Sequence, residues 1–172
     1  MSSTAAAAGN AAVIERFYAA FSKRDATGMV ACYHPDVHFS DPVFPDLRGH
    51  EAAAMWIMLC EAGEDLTLEY GAIEASGDSG SAHWDARYTF STGNKVLNRI
   101  DAAFTFKDGR IIRHQDTFDL HKWSGQALGV AGKLLGWTGL MQNTVRKQAD
   151  KGLRKYIAKN NIGADIIPAL DA

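Results

Sequence analysis

Acidic and histidine side chains of this chain occur at positions where they could support acid/base chemistry. Asp41 follows a short apolar strand and enters a turn at Pro42. A carboxylate in this position is costly to bury unless it meets water, a partner or a substrate. Further along the chain, His114 and Asp116 are two residues apart, so both side chains would lie on one face of a strand. These groups could converge on one apolar cavity and transfer protons without a cofactor.

Each of these groups also has a purely structural interpretation. Aspartate before proline is a common turn former that needs no function, and Asp41 could be one. Asp101 lies among apolar residues of its strand and could be a structural acid paired with a neighbouring arginine. His114 and Asp116 could form a simple ion pair. The residue pattern leaves these alternatives open.

The composition is that of an ordinary soluble domain. The 172 residues suffice for one domain with a proper core. A hydrophobic content of 47% and a net charge of −2 give no electrostatic reason to expect nucleic acid or an anionic membrane as partner. Cys32 and Cys60 lack metal-site spacing, and we expect reduced thiols in the cytoplasm. Met1–Asn10 has no basic start and no apolar segment, so it does not resemble a signal peptide.

Hydrophobic periodicity predicts helices first and strands afterwards. Helical spacing begins near Val13, after a cap at Asp25 and again at Glu51, and the segment Val37–Ser40 predicts a strand before the third helix. Alternating segments separated by turn residues then predict four antiparallel strands that end near Leu120. This order predicts an α+β fold in which helices pack on one face of a curved sheet.

We expect the chain to divide into four regions. These are a disordered N terminus (1–10), a folded domain (11–120), a C-terminal helical extension (121–160) and a loose tail (161–172). We expect Asp119 to cap a helix that starts near His121. Within the extension, Ala127–Met141 is apolar but interrupted by glycines and by Lys133. A membrane span needs about 20 apolar residues, so we expect no stable membrane insertion. A flexible lid or an oligomer contact is the expected role, with a peripheral membrane anchor as the alternative.

The order of elements over Ala11–Leu120 resembles the cone-shaped fold of nuclear transport factor 2 and its SnoaL-like relatives. The segments that resemble ketosteroid isomerase are Arg16–Asp25, Ser40–Val43 and Ile100–Phe104. The segments that resemble limonene epoxide hydrolase are His83–Asp85 and Asp116–Leu120, and Asp108–Asp119 is similar to the ending of SnoaL-like polyketide cyclases. The resemblance implies a curved antiparallel sheet in the shape of a cone, with three N-terminal helices packed on its concave face.

The likeness to ketosteroid isomerase implies roles for two acids. Asp41 stands at the position of the general base, and Asp101 stands at that of the protonated acid that stabilises an oxyanion; that enzyme is a standard example of such tuning. The tyrosine that completes the oxyanion hole is replaced by Phe17, which cannot donate a hydrogen bond. Tyr18 is about 100° further round the helix and does not simply substitute for it.

The other two likenesses imply different groups. Asp85 and Asp116 match the two acids of the epoxide hydrolase, but His83 occupies the position of its arginine, for which Arg99 or Arg87 could compensate. The SnoaL-like cyclases use a histidine and an aspartate near the last strands, which His114 and Asp116 match. The catalytic candidates are therefore Asp41, Asp101, His114 and Asp116.

The same resemblance implies an internal pocket for a small hydrophobic molecule. Its expected lining comprises Phe17, Tyr18, Trp56, His83, Asp85, Arg99 and Phe118. Aromatic stripes on helices are also typical of plain core. Strand periodicity instead predicts that Trp84, Tyr88 and Phe90 face the core, which is the opposite of what the resemblance implies. The two predictions agree if this apolar face lies on the outside of the sheet and forms the contact of a homodimer.

The function implied is cofactor-free proton transfer of the isomerase or cyclase type, or epoxide-hydrolase-like hydrolysis. The alternative is a non-catalytic binding or oligomerisation module of the same fold, whose pocket could be filled by its own side chains. We expect no cofactor and no metal, although the two His-x-Asp pairs have a spacing that permits one.

Overall fold

The computed structural model describes residues 3–170. Helices precede and follow a six-stranded sheet, so the predicted α+β class is confirmed. The helices are α1 (Ser3–Ser22), α2 (Ala26–Val30), α3 (His50–Ala62), α4 (Leu120–Ala127), α5 (Val130–Leu135) and α6 (Gly139–Asn160). The strands are β1 (Tyr33–Ser40), β2 (Leu47–Arg48), β3 (Thr67–Ser76), β4 (Ser79–Thr89), β5 (Lys95–Lys107) and β6 (Arg110–Thr117).

The sheet is mixed, whereas the sequence predicted a purely antiparallel one. Its strand order is β2-β1-β6-β5-β4-β3. The four strands of the predicted meander pair antiparallel in chain order, whereas β1 pairs with β6 in parallel. Parallel pairing needs a long connection, and the path through α3 and the meander supplies it.

The strand β1 begins at Tyr33, four residues before the predicted start. The sequence does not predict the first part of this strand, because Pro35 has no amide hydrogen to donate to the hydrogen bonds of a sheet. Its pairing with β6 shifts register between Tyr33 and His38, on either side of this proline. The alternation of the strand turns Tyr33, Val37 and Phe39 into the core, where each is at most 1% exposed.

Helices α1 and α3 cover the inner face of the sheet, and alternate residues of the central strands point toward them. The inward residues of β4 and β5 are Ala82, Trp84, Ala86, Ile100, Ala102 and Phe104. Trp84 is 7% exposed and its ring lies 5.4 Å from that of Phe21. The expectation that Trp84 forms an outer dimer face is therefore wrong. Tyr88 and Phe90 are half-buried against Trp123 of α4, so the stripe is covered within one chain, and a homodimer stays a prediction.

The regions near both ends are more ordered than the sequence suggested. Residues 3–10, which we expected to be disordered, are helical because α1 begins at Ser3, whereas residues 1 and 2 lie outside the described part. In the expected loose tail, Ile167 is buried in the main core. Arg110 donates to the carbonyl oxygens of Pro168 and Ala169 at 2.6 and 3.0 Å, which fixes the tail against the β5–β6 hairpin.

The C-terminal helices form a cover across the wide end of the sheet. Asp119 caps α4, as its position suggested, by accepting a hydrogen bond from the amide of Lys122. The side chain of Gln126 pairs with both backbone groups of Leu97 on β5. Leu153 of α6 is fully buried against α3. Within residues 3–170, no helix has the length and apolar character needed to cross a membrane.

Candidate functional site

A buried chain of hydrogen bonds runs through the centre of the molecule. Trp56 Nε1 donates to the hydroxyl of Tyr33 at 2.6 Å. This hydroxyl lies 2.8 Å from His114 Nδ1, and His114 Nε2 lies 3.0 Å from Asp116 Oδ1. His114 is 0% and Asp116 is 4% exposed. Two of the predicted catalytic residues, His114 and Asp116, are thus on the inner face, as expected.

The direction of this chain follows from its donors. A carboxylate can only accept, so the hydrogen between His114 and Asp116 lies on Nε2. In the neutral ring Nδ1 then accepts from the Tyr33 hydroxyl, whose oxygen accepts from Trp56. A neutral imidazole with an acceptor at Nδ1 carries its hydrogen on Nε2. His114 therefore donates to the carboxylate of Asp116 and holds it in one orientation.

Strand register explains why His114 is surrounded by aromatic rings. Phe39 of β1 and Phe104 of β5 lie directly beside it on the two neighbouring strands. The ring of Trp56 stacks on the imidazole with centroids 5.8 Å apart, and Phe17 meets it edge-on at 5.3 Å. The interior is filled by these side chains, because Phe17 and Trp56 are both at most 1% exposed. Where we expected an internal pocket, the structure has packed core.

Asp41 lies at the rim of this core, just beyond the last residue of β1. The amides of Val43 and Phe44 donate to its Oδ1 at 2.7 and 2.5 Å, so the carboxylate closes the proline turn. Oδ2 has no hydrogen-bond partner among the described residues. The pKa of Asp41 is raised to about 7, chiefly by burial and also by the nearby charge of Asp116, while the hydrogen bonds from the two amides oppose the shift. The neutral and ionised forms are therefore both populated near neutral pH.

The surroundings of Asp41 are mostly apolar. Because Ser40 pairs with Gln115, Asp41 comes next to Asp116 at this end of the two strands. On the other side, Tyr88 is half-buried and feels the charge of Asp41, which adds to the effect of burial in raising the pKa of Tyr88. The apolar side chains at this end of the sheet are Val43, Phe118, Trp123 and Val145. We call this region, bounded by Asp41, Asp116 and Tyr88, the rim site.

Helix α6 covers one side of the rim site from outside. Arg146 Nε donates to the carbonyl oxygen of Pro42 at 2.9 Å. Further along, Arg154 forms an ion pair with Glu51 of α3, which holds the same helix in place. Two open depressions of the described surface are not lined by Asp41 or Asp116, but Tyr88 borders one of them. Helix α6 therefore covers the Asp41 side of the rim site, whereas the Tyr88 side borders open surface.

Four predicted site residues lie on the opposite, outer face of the sheet. His83 Nδ1 lies 2.7 Å from Asp101 Oδ1 and its Nε2 lies 3.0 Å from Asp85 Oδ1, while Arg99 Nε is 3.6 Å from Asp85. Asp101 is 83% exposed and Arg99 is 60% exposed. Their expected position on the cavity face is wrong, because the inward position of Trp84 and Ile100 turns their neighbours outward.

This arrangement also separates the two His-x-Asp pairs. His83 and Asp85 lie on the outer face, whereas His114 and Asp116 lie inside. They cannot share a metal ion. Within the described residues, no group of three or more His, Cys, Asp or Glu side chains is arranged so that it could hold a metal ion.

The two aromatic residues of α1 point to different parts of the core. Phe17 contacts the Tyr33–His114 region, whereas Tyr18 stacks on Tyr70 at 5.4 Å. The hydroxyl of Tyr18 is fully buried and has no hydrogen-bond partner among the described residues. Burial raises its pKa well above the ordinary range, and the charge of Asp116 adds to the shift. Tyr18 therefore does not replace the donor that Phe17 lacks.

Tyr33 is the central residue that sequence reasoning missed. Its position next to His34 and Pro35 suggested the end of a helix. The signal that could have found it is the alternation of Tyr33, Val37 and Phe39, which continues the strand parity across the proline.

The fold agrees with comparisons to known proteins. The profile of the SnoaL-like domain family matches residues 14–114, which is more than half of the chain. The chain therefore belongs to the SnoaL-like domain family. The match ends at His114, so the helices α4 to α6 lie outside it. No curated protein matches this chain.

Solved structures of similar fold include several kinds of protein. TerC co-crystallised with polyporic acid is 22% identical, with a TM-score of 0.61 over 70% of this chain and 99% of that one. A limonene-epoxide-hydrolase-like enzyme from M. tuberculosis is 19% identical, with a TM-score of 0.59 over 75% and 97%. A putative polyketide cyclase from Xanthomonas campestris is 20% identical, with a TM-score of 0.60 over 71% and 98%. At these identities the likeness establishes the fold alone.

Proposed function

We propose that this protein binds a small hydrophobic carbonyl compound at the rim site and catalyses cofactor-free proton transfer on it. The observation that carries the proposal is the pairing of two differently held carboxylates at one apolar rim. Asp116 is fixed by His114, whereas Asp41 keeps one oxygen without a protein partner. Similar solved structures named as cyclase and epoxide hydrolase support acid/base chemistry in this fold.

Asp41 is the proposed base. A general base works best when its pKa is close to the operating pH, and burial brings the pKa of Asp41 to about 7. Its Oδ2 would take a proton from the carbon next to the ligand carbonyl and return it at the same or a neighbouring carbon. The charge of Asp116 contributes to the raised pKa of Asp41. His114 acts as a positioning residue, because it holds Asp116.

Tyr88 is the proposed donor to the ligand oxygen. Its hydroxyl accepts from Trp123 Nε1 at 2.8 Å, and its own hydrogen has no acceptor among the described residues. The developing negative charge on a carbonyl oxygen could accept this hydrogen. Loss of one such donor typically costs about a hundredfold or more in rate. This assignment replaces Asp101, which faces solvent on the outer side of the sheet.

A ligand must displace part of the cover to reach these groups. The bond from Arg146 to the carbonyl oxygen of Pro42 is one contact that would open. The C-terminal helices therefore act as a lid in this proposal. Lids that exclude water during reaction are common in enzymes with buried sites.

The test is hydrogen–deuterium exchange at the carbon next to a carbonyl. A panel of small cyclic enones and aromatic ketones is incubated with the protein in heavy water, and loss of the proton signal is followed by NMR. We expect exchange faster than in buffer, and a loss of about a hundredfold or more in Asp41→Asn and Tyr88→Phe. Asp101→Asn is the matched control and should keep the full rate. No acceleration by the wild type with any compound, or full activity in Asp41→Asn, would contradict the proposal.

A second function is supported by the packed interior. Phe17, Trp56 and His114 leave no room at the centre of the sheet, which favours a non-catalytic module that binds its ligand at the rim or acts through its surface. Chemical-shift changes at the rim without exchange would support ligand binding alone. Absence of both exchange and shift changes would favour a surface role.

A further inference from the structure

The segment 130–140 exposes a cluster of large apolar side chains. Among the described residues, the large hydrophobic side chains that are at least 50% exposed all lie here. They are Val130 (73%), Leu134 (67%), Leu135 (50%), Trp137 (68%) and Leu140 (81%). We call these five residues the apolar patch. They lie within residues 130–140, which comprise α5, the following turn and the first turn of α6. Such a concentration on a protein surface is typical of a binding site.

The patch is exposed because glycine makes the inward contact of α5. A Cβ atom at Gly132 would lie only 1.8 Å from the carbonyl oxygen of Ser124, and one at Gly136 would lie 2.9 Å from the Ser124 side chain. The backbone of α5 therefore packs directly on α4. His121 Nε2 adds a hydrogen bond of 3.1 Å to the carbonyl oxygen of Lys133. The leucines of α5 are left on the outside of a firmly docked helix.

Trp137 is held within the patch. Its Nε1 donates to the carbonyl oxygen of Leu134 at 3.1 Å. The next residue, Thr138, caps α6 by accepting a hydrogen bond from the amide of Met141 at 3.2 Å. These bonds fix the turn, so the patch has a defined shape. Tryptophan of this kind is enriched at the boundary between lipid headgroups and acyl chains.

The charge of the chain is strongly divided. Residues 120–160 contain eight Lys and Arg and one Asp, a net charge of +7. The rest of the chain contains ten Lys and Arg and nineteen Asp and Glu, a net charge of −9. The overall charge of −2 conceals this asymmetry, which is typical of proteins that meet an anionic surface.

Basic residues follow the apolar patch along the exposed side of α6. Lys147, Lys151 and Lys155 are exposed and four residues apart, so they form one stripe along the helix. Leu140 is two turns before Lys147 and therefore lies on the same side. The opposite side carries Leu153, which is buried against the domain. Leu140 and the lysines therefore share the exposed side of α6, and the other four patch residues precede them on α5 and in the following turn.

We propose that this face binds the surface of an anionic phospholipid bilayer. The apolar patch would enter the boundary of headgroups and acyl chains, and the lysine stripe would lie along the anionic headgroups. A second copy of the chain fits less well. Pairing two patches would bring two lysine stripes together, and the other exposed large hydrophobics, Leu59, Ile166 and Leu170, are scattered and each below 40% exposed. The proposal is independent of the chemistry proposed for the rim site.

The test is co-sedimentation of the full-length protein with vesicles. One set consists of phosphatidylcholine alone and the other of a phosphatidylcholine–phosphatidylserine mixture. We expect binding to the mixed vesicles at low salt, weaker binding at high salt and little binding to pure phosphatidylcholine. Leu134→Ser/Trp137→Ser should abolish the binding, and Lys147→Glu/Lys151→Glu should weaken it by about tenfold or more. The matched control Lys107→Glu changes an exposed lysine at the far hairpin and should bind as the wild type does.

Two results would overturn the proposal. One is that the wild type does not bind the vesicles, or that it binds both vesicle types equally and Leu134→Ser/Trp137→Ser binds as well as the wild type. The other is a wild-type dimer in light scattering that becomes a monomer in Leu134→Ser/Trp137→Ser without any vesicle binding, which would assign the face to self-association. All substituted side chains are exposed, and circular dichroism checks that each variant is folded.

Discussion

The hydroxyl of Tyr33 lies 2.8 Å from His114 Nδ1, and this bond joins the first strand of the sheet to the last. It is also the middle of the chain from Trp56 to Asp116. One hydroxyl therefore satisfies two buried partners. The bond couples the packing of the core to the carboxylate at the rim site.

We expect Tyr33→Phe to lower the free energy of unfolding by about 2–6 kcal/mol. The substitution leaves the indole N–H of Trp56 and the imidazole of His114 without partners, at about 1–3 kcal/mol for each buried group. Urea unfolding measures the effect. Tyr70→Phe is the control, because the hydroxyl of Tyr70 donates to Glu15 at the surface. Its cost should stay within about 0.5 kcal/mol. Equal costs for the two variants would contradict the assigned chain.

Asp41 should make stability depend on pH. Its pKa is about 7 in the folded protein against an ordinary value of 3.8, because burial disfavours the charge. Since the folded-state pKa is raised, the protonated Asp41 side chain makes its full contribution to the free energy of unfolding below about pH 4. This contribution is lost as the pH rises to about 7 and the buried carboxyl group ionises. Asp41→Asn keeps an oxygen for the amides of Val43 and Phe44 but carries no charge. We expect it to match the wild type near pH 4 and to exceed it by roughly 2–4 kcal/mol above pH 7.

Urea unfolding across this pH range tests the assignment to Asp41. Asp78→Asn, in the exposed turn between β3 and β4, removes a carboxylate without changing the core. Its difference from the wild type should stay small and nearly constant with pH. A wild-type stability that does not fall between pH 4 and pH 7 relative to Asp41→Asn would show that Asp41 ionises normally.

His83 should titrate above its ordinary pKa. The hydrogen bond to Asp101 is the main cause of the raised pKa, and Asp85 adds to it, while partial burial opposes the shift. We expect NMR titration of the imidazole to give a pKa above 6.5, and Asp101→Asn to bring it down. Because the folded-state pKa is raised, the stabilising contribution is present below pH 6.5 and is lost as pH rises through the folded value. Asp78→Asn should leave the titration unchanged.

Gly132→Ala should loosen the docking of α5. The new methyl group would overlap the carbonyl oxygen of Ser124, so α5 must move away from α4. Overpacking of this kind costs about 1–3 kcal/mol. We expect a loss of that size in the free energy of unfolding and faster amide exchange in α4 and α5.

Gly152→Ala is the matched control for this effect. It lies on the exposed side of α6, where a Cβ atom would meet nothing within 4 Å. Alanine is favoured over glycine in a helix by roughly 0.5–1 kcal/mol, so this variant should be slightly more stable than the wild type. Equal behaviour of the two alanine variants would mean that the close approach at Gly132 is not required.

The secondary structure and the inner pair could be predicted from local patterns. Alternation and turn residues define the meander, and the two-residue spacing of His114 and Asp116 puts both on one face. The caps at Asp25 and Asp119 are also local, and both form as expected. The positions taken from resemblance were less dependable. His83, Asp85, Arg99 and Asp101 lie outside, because an offset of one residue exchanges the two faces of a strand.

The sequence by itself determined the α+β class, the order of the elements and the alternating polarity of each strand, because these depend on contacts between near neighbours. Only the tertiary structure decided that β1 pairs with β6 in parallel, that Tyr33 meets His114 across 81 residues and that the interior is filled rather than hollow. It also decided that α5 docks on α4 through Gly132 and leaves the apolar patch exposed. The reason is that these relationships join residues far apart in the chain, and their geometry depends on how whole helices and strands pack together.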